Sequence, residues 1–312
     1  MSDDLTGKTI GPWLLQRVLG RSPSAETYLA RDEADLADPS LYVIKIASNV
    51  GPSFRRAMVL REATILNLVE HPNVVSVLDH GQDRVGDYLV LPFVNGVMRP
   101  ESRTRPVCRQ QWGRLAWVAR QLVAGLRAIH RHGFVHGDLK PSNIAVDASM
   151  HVTLIDLGLA ESISLDRGLR ISPGIEQGGG TSVTSPGRNC LKGSPPYMAP
   201  EMFIDGEAVS TAQDVYALGC MLYHWFVGAR PFYARGLEEW KQKHLSVRPV
   251  PPAERNIDIP SSISQLITAM LSKHPVRRPC LEEVERALVD FEVSTLGSWL
   301  VDEQANENAA AA

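Results

Sequence analysis

Two short stretches of this 312-residue chain carry the residue types best suited to chemistry. His136-Gly137-Asp138-Leu139-Lys140-Pro141-Ser142-Asn143 is an acidic loop, and Val152-Thr153-Leu154-Ile155-Asp156-Leu157-Gly158 is a short apolar strand ending in a second acid. If both face one cavity, Asp138 can accept a hydroxyl proton and Lys140 can neutralise a transferring phosphoryl group. Asn143 with Asp156 can hold Mg²⁺ through oxygen. Turns rich in Asp and Asn also join helix to strand in many α/β chains. The Asp-x-Lys-x-x-Asn spacing alone leaves both options open, whereas its combination with strand-Asp-Leu-Gly is far rarer.

The elements that must position these groups are legible from periodicity. A helix is expected over roughly Gln111–His132, with Leu115, Ala119, Leu122, Leu126 and Ile129 as its apolar stripe. Gly133 is a C-cap glycine in this pattern and delivers the chain to the acidic loop. His136 is expected to pack rather than carry a proton. Upstream, residues 12–47 alternate as strands, and in Leu41–Ala47 the side chains of Tyr42, Ile44 and Ile46 share one face while Val43, Lys45 and Ala47 share the other. A lone Lys in a strand is usually solvated or guards an edge. The next helix, roughly Ser53–Val69, aligns Met58, Glu62, Ile65 and Val69 on one stripe. Glu62 thus sits in an apolar face, where an unpaired carboxylate is costly, so an ion pair with Lys45 is expected.

Taken together, these motifs resemble those of eukaryotic-type protein kinases, in the family's order and over roughly residues 12–291. The resemblance implies an α+β bilobal fold: a β-rich N-lobe (12–91), a hinge (92–96), a mainly helical C-lobe (97–291) with an activation segment at 156–201, and a tail at 292–312. It implies ATP and Mg²⁺ as cofactors and transfer to Ser/Thr hydroxyls of proteins, the chain itself included. Asp138 and Lys140 would be catalytic, Asn143 and Asp156 metal-binding, and Lys45 with Glu62 would orient the nucleotide's phosphates. The Pro92 carbonyl and the Val94 amide would pair with adenine, and Pro keeps the carbonyl that role needs. His71-Pro72-Asn73-Val74-Val75 resembles the family's turn into a strand. Gly193-Ser194-Pro195-Pro196-Tyr197-Met198-Ala199-Pro200-Glu201 resembles the closing motif of the activation segment, with Ser194 where Thr is usual. Glu201 would pair with Arg278, and Asp214 would brace the catalytic loop from below. Asp214 could otherwise simply compensate a helix dipole, and Ser210 with Gln213 could form a capping box.

The sequence departs from the family's pattern in three places. Its three phosphate-loop glycines fall on Gly20, Ser22 and Ala25, with Pro23 removing an amide donor, which implies weaker handling of ATP. Ser22 could restore one contact through its hydroxyl. Gly137 replaces the Arg that commonly gathers a phosphorylated loop, and Leu157 replaces a commoner Phe. Between Glu161 and Lys192 the chain turns Gly-, Pro- and Ser-rich, longer than most members' segments, and Thr181, Ser182, Thr184 and Ser185 are candidate autophosphorylation sites. Two other functions compete: a pseudokinase scaffold, favoured by the eroded glycines, and a small-molecule phosphotransferase, favoured by His-Gly-Asp-Leu. Lys140, Ala199-Pro200-Glu201, Asp214 and Arg278 favour a protein kinase over the latter.

Composition excludes some classes. A net charge of −3 with no clustered basic stretch argues against nucleic acid as a partner. No apolar run reaches membrane-spanning length; Val215–Val227 is short and contains His224, so it is expected as a buried helix. Cys108, Cys190, Cys220 and Cys280 are widely spaced, which fits free thiols rather than disulfides or zinc. The acidic start lacks a secretory h-region, so a cytoplasmic, stand-alone kinase acting on proteins is expected, with effector-like secretion left open. Residues beyond about Ser294 lose apolar periodicity, and Asn306–Ala312 is expected to fray.

Overall fold

The computed structural model describes residues 4–22, 25–34, 39–48, 53–96, 111–163, 193–204 and 206–310. Its N-terminal part, up to Pro92, holds a six-stranded antiparallel sheet in the order β1-β2-β3-β4-β6-β5, built from β1 (Thr9–Ile10), β2 (Trp13–Arg21), β3 (Glu26–Asp32), β4 (Tyr42–Ser48), β5 (Asp79–Gln82) and β6 (Gly86–Pro92). Alternation along β4 divides the packing as expected. Ile44 and Ile46 join Leu15, Tyr28, Ala30 and Val90 in one apolar cluster. Val43 and Ala47 point the other way, to the cluster that holds Leu89 and Leu91 and, from helix α1 (Ser53–Leu68), Val59, Ala63 and Leu66. Lys45 shares this second face, so the strand's period of two aims it at α1.

The rest of the chain is mainly helical. It comprises α2 (Trp112–Arg131), α3 (Ala212–Val227), α4 (Leu237–Ser246), α5 (Pro252–Arg255), α6 (Ser261–Met270) and α7 (Leu281–Ala310). Two small antiparallel pairs, the hairpin of β8 (Ile144–Val146) with β9 (Val152–Leu154) and the pair of β7 (Phe134–Val135) with β10 (Glu161–Ser162) on either side of it in the chain, carry the acidic loops. All five residues of the expected α2 stripe are buried, and Gly133 takes φ +79 just past the helix, where a side chain would be strained. Buried residues line α3 on every face, as befits a helix through the centre of a lobe. A Cβ on Gly219 would lie 2.9 Å from Met270 Cβ, so this glycine lets α3 and α6 touch.

Three local expectations change. The turn at His71–Val75 leads to an isolated bridge, Val74 with Leu154, and the strand begins only at Asp79. Ser210 and Gln213 form no capping box: Thr211 is the N-cap, without a side-chain bond, and the Gln213 amide donates to the Ser210 carbonyl instead. Helix α7 continues to Ala310 rather than fraying, because Ala, Glu and Gln among residues 303–310 favour helix without needing an apolar stripe. Among the described residues no helix is long and apolar enough to cross a membrane.

Candidate active site

The acidic loop between β7 and β8 is fastened from behind. Asp214, in the first turn of α3, accepts the His136 amide (2.9 Å) and the His130 Nε2 (2.7 Å) on one oxygen and the Gly137 amide (3.0 Å) on the other. Burial works to raise the pKa of this carboxyl, yet the His130 hydrogen bond and charge outweigh it and hold Asp214 below the usual carboxylate range. A buried anion with three donors is therefore a fixed anchor rather than dipole compensation. His136 is fully buried, and its Nδ1 accepts the Asp138 amide at 3.3 Å, a packing role.

So anchored, Asp138 has two unlike oxygens. Its Oδ2 takes Lys140 Nζ at 2.6 Å and Asn143 Nδ2 at 3.4 Å, while its Oδ1 is buried and has no hydrogen-bond partner among the described residues. A buried, unpaired carboxylate oxygen is unfavourable unless something donates to it, and an incoming hydroxyl would do so. Lys140 also donates to Ser194 Oγ at 2.9 Å, which ties the closing motif to the catalytic loop through the very residue that replaces the usual Thr.

The second acid is reached through the N-lobe. Lys45 Nζ lies 2.6 Å from Glu62 Oε1 and 2.8 Å from Asp156 Oδ1. Burial opposes the ammonium, but two carboxylates at contact overcome it and raise the Lys45 pKa. Asp156 shows the same contest from the other side: burial raises it, Lys45 wins, and the carboxyl falls to about 2. Burial pushes Glu62 up against the pull of Lys45, and Glu62 Oε1 also takes the Leu157 amide at 3.1 Å, which locks the Asp-Leu-Gly turn to α1. Asp156 Oδ1 further accepts the Gly158 amide at 3.0 Å. Leu157 is fully buried, so its swap for the commoner Phe is absorbed by packing.

Asn143 donates Nδ2 to the Asp138 carbonyl at 2.9 Å, and its own carbonyl accepts the Ile155 amide at 3.0 Å, next to Asp156. The side-chain oxygens of Asn143 and Asp156 are hard donors of the kind Mg²⁺ takes. Among the described residues no cluster of three His, Cys, Asp or Glu could hold a metal by itself. A two-residue donor set fits an ion whose remaining ligands are phosphate oxygens and water.

Two buried networks were only partly legible in the sequence. Arg278 grips both oxygens of Glu201, at 2.6 and 2.7 Å, as expected, but also donates to the Ala212 carbonyl at 2.8 Å and so binds the closing motif to the start of α3. Asn73 donates to the Val152 carbonyl at 2.7 Å and to Gln121 Oε1 at 3.2 Å, while Gln121 reaches the Val152 amide and the Met150 carbonyl. This holds β9, and hence Asp156, against α2. Neither Gln121 nor His130 has a sequence signal, because their partners lie 29 to 84 residues away.

The phosphate-loop and hinge positions are less built. Gly20 lies within β2 opposite Thr27, and a Cβ there would meet nothing within 4 Å. The Ser22 amide donates to the Ala25 carbonyl at 2.9 Å, and its hydroxyl accepts the Ala25 amide at 3.1 Å, so Ser22 closes the β2–β3 turn on itself. Pro92 ends β6 opposite Tyr42, Phe93 donates to the Leu41 carbonyl, and Val94 follows half-buried. Thr181, Ser182, Thr184 and Ser185 lie outside the described residues, as do Cys108 and Cys190; Cys220 and Cys280 are free thiols.

A curled antiparallel sheet over a helical lobe, with a Lys–Glu–Asp cluster between them, is the architecture of a protein kinase domain. Residues 13–288 match the model of the protein kinase domain, and the chain belongs to that family. It is 31% identical over 285 residues to the serine/threonine-protein kinase PknD of Mycobacterium tuberculosis, covering 89% of this chain and 39% of PknD. It is 29% identical over 300 residues to the serine/threonine-protein kinase pkn3 of Myxococcus xanthus, covering 92% of this chain and 51% of pkn3. With RUNKEL, a serine/threonine-protein kinase of Arabidopsis thaliana, it shares 33% identity over 225 residues, 72% of this chain and 15% of that protein. The chain thus spans about half or less of the length of these relatives.

Proposed function

We propose that this chain transfers the γ-phosphoryl group of ATP to Ser or Thr hydroxyls of proteins, its own activation segment included, with the kinase domain at residues 12–291. The observation that carries this reading is the asymmetry of Asp138: one oxygen neutralised by Lys140, the other buried and without a donor. That oxygen would orient the acceptor hydroxyl and take its proton, while Lys140 meets charge on the transferring group. Lys45, kept charged and in place by Glu62, would hold the nucleotide's phosphates. Asn143 and Asp156 would bind Mg²⁺, which when present offsets negative charge on the phosphate oxygens. The Pro92 carbonyl and Val94 amide would receive adenine. Preference for Ser/Thr is supported by the Asp138-Leu139-Lys140-Pro141-Ser142-Asn143 run, which resembles that of Ser/Thr members of the family, and by the names of the relatives.

The test is transfer of label from γ-labelled ATP with Mg²⁺ to a general protein substrate, for wild type and Asp138→Ala. Label on Ser/Thr that falls at least about 10³-fold in the variant is expected. ATP binding with no transfer by wild type would make the protein a scaffold. Label on an aminoglycoside-type small molecule and on no protein would make it a small-molecule phosphotransferase.

A further inference from the structure

A cavity of about 360 Å³ opens on the C-lobe and shares no lining residue with the catalytic loop. Helix α3 ends at Gly228 (φ +79), whose amide donates to the His224 carbonyl at 2.8 Å and reverses the chain. The reversed segment is closed by the Arg230 amide donating to the Tyr233 hydroxyl at 3.2 Å. Opposite it runs the extended segment 247–251, stiffened by Pro249 and Pro251 and pinned to α3 by the Tyr223 hydroxyl, which donates to the Val250 carbonyl at 2.9 Å. Buried Phe232 forms part of the lining, and its ring is itself held by the Lys273 ammonium 4.5 Å from the centroid. The cavity is thus formed before any ligand arrives.

Its chemistry is two-sided. Arg230, Lys243, Arg248 and Arg255 line it, no carboxylate does, and none of the four forms an ion pair among the described residues. Arg255 meets the Tyr223 phenol and Arg230 that of Tyr197, and Glu254 acts on Tyr223 from outside the lining. Four cations, without a carboxylate in the lining, share one cavity of a chain of net charge −3. Between them, apolar surface is left at the mouth: Tyr233 is 62% exposed, Val247 38% and Val250 37%. A lone phosphate would leave that surface wet, and a nucleic acid would need a longer basic track than one cavity. A peptide satisfies both parts, with acidic side chains on the guanidinium groups and a large apolar side chain beside Tyr233 and Phe232.

We infer that this cavity is a docking groove for a protein segment in which acidic residues flank an aromatic or aliphatic anchor. It would tether a protein partner at a distance from the reacting hydroxyl, and it rests on the proposed protein substrate only for that consequence.

The test measures binding without ATP. A fluorescein-labelled peptide, Glu-Asp-Glu-Phe-Glu-Asp-Glu, is titrated with the full chain by anisotropy, beside one with Phe replaced by Ser and one with the acids replaced by Lys. Saturable binding is expected, weakening about tenfold from 50 to 300 mM salt, and again at least about tenfold in Arg248→Glu/Arg255→Glu or in Tyr233→Ser. These residues are exposed and outside the catalytic machinery, so transfer to a short peptide lacking acids should stay at the wild-type rate. Equal binding by all three chains, no saturation at low salt, or equal binding of the Ser peptide and of an oligonucleotide would each overturn the inference. Failure of transfer with intact docking would instead count only against the proposed reaction.

Discussion

Residues 136–143 and residues 20–25 both stand where the family handles phosphate, yet they are held in opposite ways. The catalytic loop is fixed by distant, buried partners: three donors on Asp214, from positions 77 to 84 residues away, and Lys140 spanning 54 residues to Ser194. Among the described residues the hydrogen bonds that close the β2–β3 turn join Ser22 and Ala25, three residues apart, and its glycine meets no steric demand. A local turn can change its residues and still close, since its bonds depend on no other element. A loop fixed by buried groups from other elements cannot, because each lost partner strands a polar or charged group out of water. The eroded glycines and the retained Asp138, Lys140 and Asn143 of this chain follow that division.

The comparison can be broken most directly at Lys45. Lys45→Met should abolish transfer and also cost about 3–5 kcal/mol of stability, because Glu62, 2% exposed, is left without its cation. Lys45→Met/Glu62→Leu should regain most of the urea midpoint and none of the activity; a single variant as stable as wild type would mean that the pair does not hold the lobe. Next in size, Asp214→Asn keeps one acceptor oxygen and turns an NH₂ toward a backbone N–H. Its kcat should fall about 10- to 100-fold with the KM for ATP nearly constant, whereas an unchanged kcat would deny the long-range anchor.

A smaller effect is expected in the activation segment. Gly137 has φ +74, and a Cβ there would lie 2.9 Å from the Leu159 carbonyl oxygen, so the catalytic loop offers no guanidinium to a phosphate. Replacing Thr181, Ser182, Thr184 and Ser185 together by Ala should leave initial rates on an exogenous protein within a few-fold of wild type. A loss of about a hundredfold would reveal another basic receiver, Arg167, Arg170 and Arg188 being the arginines nearest in sequence. Smallest of all is the effect at the β2–β3 turn. Gly20→Ala should shift the KM for ATP by less than about threefold, since nothing lies within 4 Å of the added carbon. Ser22→Ala, which removes the turn's side-chain bonds, should exceed it; the reverse order would show that Gly20 is needed for the nucleotide and not for the turn.

What the sequence determined by itself are the features set by short-range rules. Alternation put Lys45 on the face toward α1, the spacing of four, three and four put Glu62 in that helix's buried stripe, and Gly133 ended α2. The family's order of motifs then paired Glu201 with Arg278 and assigned Asp214 to the catalytic loop, and both contacts are present. Tertiary structure decided the rest. His130 completes the Asp214 anchor, Gln121 fastens β9, and a cavity collects cations from residues 230, 243, 248 and 255. No periodicity marks these residues, because a hydrogen bond or a charge cluster requires only that atoms meet. Where chains 20 to 80 residues apart meet is set by the packing of whole elements, which no local pattern encodes.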